Sequence, residues 1–120
     1  MLHRAGPLTS TEGQTGLPRW FGTVFDTVSR IERGAFSFEL PDGRLFRAEG
    51  AAPGPDGLVR VRDPELFGRI VRDGELGFAE AYMDGDWDTP DLQAVLDVAL
   101  LNNENMSREF TGAALVRMLE

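Results

Sequence analysis

The stretch AFSFELPDGRLFRAEG, residues 35–50, constrains the chain more than any other. Phe36, Phe38 and Leu40 alternate with polar neighbours, Pro41-Asp42-Gly43 supplies turn residues, and Leu45 to Ala48 return in the same apolar rhythm. Alternation that reverses across a Pro-Asp-Gly turn predicts a β-hairpin. Everything else in the chain has to fit around a small sheet.

Before the hairpin, Trp20, Phe21, Val24, Phe25, Val28 and Ile31 recur at steps of three and four, with Pro18 placed for a helix start and Gly34 for its stop. That spacing predicts an amphipathic helix whose aromatic stripe packs on the sheet, the alternative being a lipid-contacting or membrane-surface face. Residues 1–17 show no periodicity and read as a flexible leader. After the hairpin, the Pro/Gly-rich AAPGPDG reads as a loop and LVRVRD as a third strand with Arg60 and Arg62 on one face. Solvated edge charges or a headgroup contact account for those two arginines.

A helix opening at Asp63-Pro64 and carrying Leu66, Phe67 and Ile70 ends near Gly74. A short helix with Phe78, Ala81 and Tyr82 follows and ends at Gly85. Thr89-Pro90-Asp91 leads into LQAVLDVALL, with Thr89 as cap and Asp91 complementing the helix dipole. NNEN interrupts at 102–105, and SREFTGAALVRMLE is predicted as a last helix capped by Ser107, presenting Phe110, Leu115 and Met118. The expected class is α+β: a small antiparallel sheet with a helix before it and several helices after it. The expected division is a leader over 1–17, a domain over 18–103 and a linker helix over 104–120.

Composition narrows the function. A 120-residue chain supports one domain at most. It has no cysteine, so disulfides, thiolate metal sites and cysteine nucleophiles are excluded, and its single histidine, His3, lies in the leader. Twelve arginines face twenty carboxylates, and the net charge of −8 argues against nucleic-acid partners and against simple electrostatic attachment to an anionic membrane. No apolar run reaches the roughly 18 residues that a membrane span needs.

The densest chemistry is YMDGDWDTPD, residues 82–91. Asp84, Asp86 and Asp88 alternate as in a calcium loop, but with Asp84 in first place Thr89 falls where glycine is needed and Val95 where a bidentate glutamate is needed. No metal site is expected. Paired carboxylates for acid–base work would need a pocket and unequal environments, whereas local roles account for most of the segment. Gly85 ends one helix, Trp87 anchors a crossover in the core, and Thr89 and Asp91 start the next helix. Glu80, beside Tyr82, Met83 and Trp87, has no such local role.

The string GELGFAEAYMDGDWDTPDLQAVLDVALLNN, Gly74 to Asn103, resembles the N-terminal domain of the cyclopropane-fatty-acyl-phospholipid synthases and their methyltransferase relatives. The upstream order of hairpin with LPDG, Pro/Gly loop, short strand and DPELFGRI helix is also similar, so the resemblance spans about residues 20–110. More loosely the arrangement resembles the sterol-carrier-protein fold, with strands and helices enclosing an apolar tunnel, although Asp86 to Asp88 is too short for a full central strand. In the synthases, S-adenosylmethionine chemistry on the double bond of a phospholipid acyl chain belongs to a C-terminal methyltransferase domain. No G-x-G, the glycine-rich turn such a domain requires, occurs here.

The resemblance therefore implies a non-catalytic accessory domain with no catalytic residue and no cofactor of its own. S-adenosylmethionine is expected on a methyltransferase partner or domain. It implies phospholipid acyl chains as ligands, with Phe78, Glu80, Tyr82, Met83 and Trp87 as the lipid- or partner-contacting residues. Because the N-terminus lacks the apolar run of a secretory signal, the expected location is cytoplasmic, peripheral at the inner membrane face. The alternative is a dimerisation module, built on its long apolar helices, that touches no lipid.

Overall fold

A computed structural model describes residues 6–102. The order of elements is α1 (Phe21–Val28), β1 (Arg33–Glu39), β2 (Leu45–Glu49), β3 (Ala52–Val61), α2 (Leu66–Met83), β4 (Trp87–Asp88) and α3 (Leu92–Leu101). This is the expected α+β class. The predicted last helix and the linker over 104–120 lie outside the described residues.

The hairpin forms as its alternation dictates: β1 and β2 pair antiparallel with Phe38 opposite Phe46 and Phe36 opposite Ala48. These side chains all fall on one face, because successive strand residues alternate across the sheet. Val59 and Val61 of β3 continue that face, and the helices cover it. Phe21 sits at the centre, with its ring 4.8 Å from Phe46, 4.9 Å from Phe67 and 5.7 Å from Phe38. The opposite face carries the charges, where Arg47 pairs with Asp56 at 3.0 Å and Arg60 reaches Glu39 and Asp88.

The sheet is mixed, not wholly antiparallel. Its order is β2-β1-β3-β4, with β3 parallel to β1 on the edge opposite β2. Only Gly50 and Ala51 separate β2 from β3, so the chain passes directly across the start of β1. Gly50 donates to the Gly34 carbonyl at 2.8 Å and Ala52 to the Glu32 carbonyl at 3.0 Å. Backbone meets backbone so closely that a Cβ on Gly50 would lie 2.3 Å from the Glu32 carbonyl carbon. Gly34, expected to stop the first helix, belongs to this crossing: its φ is +76°, and a Cβ there would meet the Pro55 carbonyl oxygen at 2.3 Å. The AAPGPDG segment, expected as a loop, forms the first half of β3 because β1 supplies its pairing.

Helix α1 is shorter than its apolar stripe. Trp20 has a left-handed φ of 73° and precedes it, and Ile31 is buried from the turn that follows. The residues expected as a leader lie partly against the sheet. Leu8 bridges to Phe46, donates to the Leu45 carbonyl and accepts from Arg47 N–H, while Arg44 donates to the carbonyls of Thr15 and Gly16. Leu8 and Leu17 supply the apolar contact that the absence of periodicity concealed.

Candidate functional site

Between Gly74 and Asp91 the chain makes two reversals, and each has a local cause. At Gly74 the backbone leaves helical geometry (φ 63°, ψ −136°) inside α2. Three residues on, Gly77 lies so close to the first half that a Cβ would sit 2.3 Å from the Arg69 carbonyl oxygen. The two glycines of GELG thus let the second half of α2 pack back against the first. It ends in a Schellman motif: Gly85, at φ +85°, donates to the Tyr82 carbonyl at 3.1 Å, and Asp86 N–H to the Ala81 carbonyl at 2.8 Å. Gly85 terminates the helix as expected.

Trp87 follows immediately and pairs with Val61 across β4–β3. Its side chain is 2% exposed; the indole Nε1–H donates to the Phe78 carbonyl at 2.9 Å, and the rings of Phe78 and Tyr82 lie 4.3 and 4.8 Å from its own. The helix cap differs from expectation. Asp91, not Thr89, is the N-cap of α3 and accepts from Ala94 N–H at 3.1 Å, while Thr89 Oγ1 accepts from Asp91 N–H. Pro90 lies outside the helix, so the cap falls on the extended residue after it.

The aspartates of the segment are tied to arginines. Arg69 donates to Asp84 and Asp86 at 2.9 and 3.0 Å, and these hydrogen bonds, Asp84 first, hold its pKa above the usual arginine value. Arg62 donates to Asp88 through Nε at 2.7 Å, which gives that arginine a partner within the domain. Among the described residues no cluster of three potential ligands is arranged for a metal ion.

Beside Trp87 a groove of about 590 Å³ opens between the second half of α2 and α3, a size within the usual range for ligand sites. Phe78, Tyr82, Met83 and Trp87, four of the residues singled out from the sequence, line it together with Leu92, Leu96 and Leu100 of α3. The α3 residues repeat at four-residue steps and form one apolar stripe beside the buried Val95 and Val98. Met83 is 82% exposed and Leu100 73%, so the groove is open along both rims. Glu80, the fifth residue, does not line it. It is exposed, and its carboxylate makes no hydrogen bond or ion pair among the described residues. Sequence reasoning missed the α3 side of the groove, although the Leu92, Leu96, Leu100 spacing was there to be read.

Asn102, read from the sequence only as a helix interruption, is 2% exposed and fully bonded. Its Oδ1 accepts from the N–H groups of Glu32 and Arg33, and its Nδ2 donates to the carbonyls of Arg33 and Val98. The amide therefore fixes the end of α3, and with it one wall of the groove, to the start of β1.

Comparison with known proteins yields a short similarity. The chain is 44% identical over 39 residues to cyclopropane-fatty-acyl-phospholipid synthase from Escherichia coli (strain K12), and equally to the synthase from Escherichia coli O6:H1. The matched stretch covers 32% of this chain and 9% of either synthase. Neither a protein-family model nor a solved structure matches the chain. No helix among the described residues is long and apolar enough to cross a membrane.

Proposed function

We propose that this chain is a non-catalytic accessory domain of a lipid-modifying methyltransferase system. It docks to an S-adenosylmethionine-dependent methyltransferase and helps to present phospholipid acyl chains to it. The observation that carries the reading is the open apolar groove beside Trp87, built from the segment whose sequence resembles the synthases. A solvated surface has no use for Met83 and Leu100 at such exposure. The partial similarity to the synthases supports the methyltransferase connection, and the S-adenosylmethionine site is placed on the partner as part of this proposal.

The test is reconstitution. A cognate methyltransferase would be assayed on phospholipid vesicles with a labelled methyl donor, with and without the full chain, and with Met83→Ser/Leu100→Ser in its place. Turnover should rise with the chain and return to the basal level with the variant. Identical turnover in all three mixtures would remove the accessory role.

A further inference from the structure

The occupant of the groove follows from two patterns that meet there. The first is apolar. Of the exposed large hydrophobic residues among those described, all except Trp20 lie on the two helices that form the groove: Leu76, Tyr82, Met83, Leu96, Leu100 and Leu101. Apolar side chains stand on the rims as well as the floor. An acyl chain needs only a floor and walls, whereas a helix, about 10 Å across with its side chains, contacts floor and both rims at once.

The second pattern is electrostatic. Every charged side chain from Asp73 through Asn102 is acidic. Arg72 pairs with Asp73, and Arg60, Arg62 and Arg69, from β3 and its end and from the first half of α2, engage Asp84, Asp86 and Asp88 at the crossover. The groove has Glu75 in its lining, and outside the lining the same two helices carry the exposed Glu80 and, next to Leu96 in the chain, Asp97. Among the described residues no cation lines the groove, so nothing in that lining would hold a phosphate.

We infer that the groove seats an amphipathic helix of a partner protein, its apolar stripe flanked by arginine or lysine. This rests on the docking half of the function proposed above and names what docks. The stripe fills the space between Met83 and Leu100, and the flanking cations meet Glu80 and Asp97, so that charge sets approach and register while apolar burial supplies the affinity.

The experiment uses the full chain and two labelled synthetic 18-residue peptides with the same leucine stripe, one flanked by lysine and arginine, the other by glutamate. Fluorescence anisotropy reads binding, and circular dichroism with urea melts confirms that each variant is folded. The basic peptide should bind at least about tenfold more tightly than the acidic one, with an affinity that falls as salt rises. Met83→Ser/Leu100→Ser should weaken it by about tenfold or more, and Glu80→Gln/Asp97→Asn should weaken it and flatten the salt dependence. Glu12→Gln/Asp26→Asn, away from the groove, should leave it unchanged. Equal affinity for the two peptides, or equal losses from the groove and distant charge pairs, would overturn the inference. So would phosphatidylglycerol vesicles or oleate binding the chain in a way that Met83→Ser/Leu100→Ser abolishes while the peptide does not compete. A chain dimer, seen by light scattering, that dissociates in the same variant would give the groove to a second copy and overturn it too. Failure here leaves methyltransferase stimulation intact, whereas absence of stimulation removes the parent reading whatever the peptides do.

Discussion

The side-chain amide of Asn102 holds both backbone groups of Arg33: Oδ1 accepts from its N–H at 3.0 Å and Nδ2 donates to its carbonyl at 2.9 Å. A residue at the end of the last described helix thereby closes the hydrogen bonding of the first strand, where Gly50 crosses it.

Asn102→Ala is expected to lower unfolding stability by about 3 kcal/mol, since it strands several buried backbone groups at once. Asn102→Asp should cost a similar amount, because it keeps the acceptor but loses both donated bonds. Urea denaturation of each variant measures this, and a loss below about 1 kcal/mol would show that water replaces the amide.

Two glycine-to-alanine changes should act in opposite directions. At Gly77 a Cβ has no room beside the Arg69 carbonyl, so Gly77→Ala should destabilise by about 2 kcal/mol or more and disturb the packing of the second half of α2. At Gly22, in α1, nothing lies within 4 Å of a Cβ, and alanine should stabilise by up to about 1 kcal/mol. Thermal melts of the pair check both signs.

The hairpin turn should be acid-sensitive. Hydrogen bonds from the Arg44 side chain and then its backbone N–H lower the Asp42 pKa below its ordinary 3.8. A carboxyl whose folded pKa is depressed adds stability above the unfolded value and loses it as pH falls through the folded one. Wild type should therefore melt above Asp42→Asn at neutral pH, and the gap should close on acidification below about 3.8. A gap independent of pH would refute the link.

Glu80→Gln should change stability by less than about 0.5 kcal/mol, since the carboxylate has no partner within the described residues, yet reduce stimulation of a methyltransferase. Trp87→Ala, by contrast, should cost about 3 to 5 kcal/mol and abolish both fold and function. Urea melts beside the reconstitution assay separate the two, and a large stability loss from Glu80→Gln would make that residue structural.

What could be read in advance was what neighbours in sequence decide. The Phe36-Phe38-Leu40 alternation, the Gly85 terminus and the burial of Trp87 each follow from a few adjacent residues. The parallel pairing of β1 with β3 does not, because it depends on which edge of β1 the chain reaches after Gly50. Asn102 was illegible for a related reason: its partners on the β1 side, Glu32 and Arg33, lie about 70 residues away. In the groove, the residues on α2 were found through their aromatic density, while those on α3 look like any buried helix until the partner surface is known to be missing.

The crossing at Gly50 ties together two alignments that most sheets set separately. With only Gly50 and Ala51 between β2 and β3, the phase of β3 on one side of β1 is inherited from the phase of β2 on the other. A slip of one residue in the hairpin would turn the β2 side chains over and also pull β3 out of step, taking Val59 and Val61 away from the helices. Misalignment is thus penalised twice, and the three strands from Arg33 to Val61 share one mechanical setting that starts at the Pro41-Asp42-Gly43 turn.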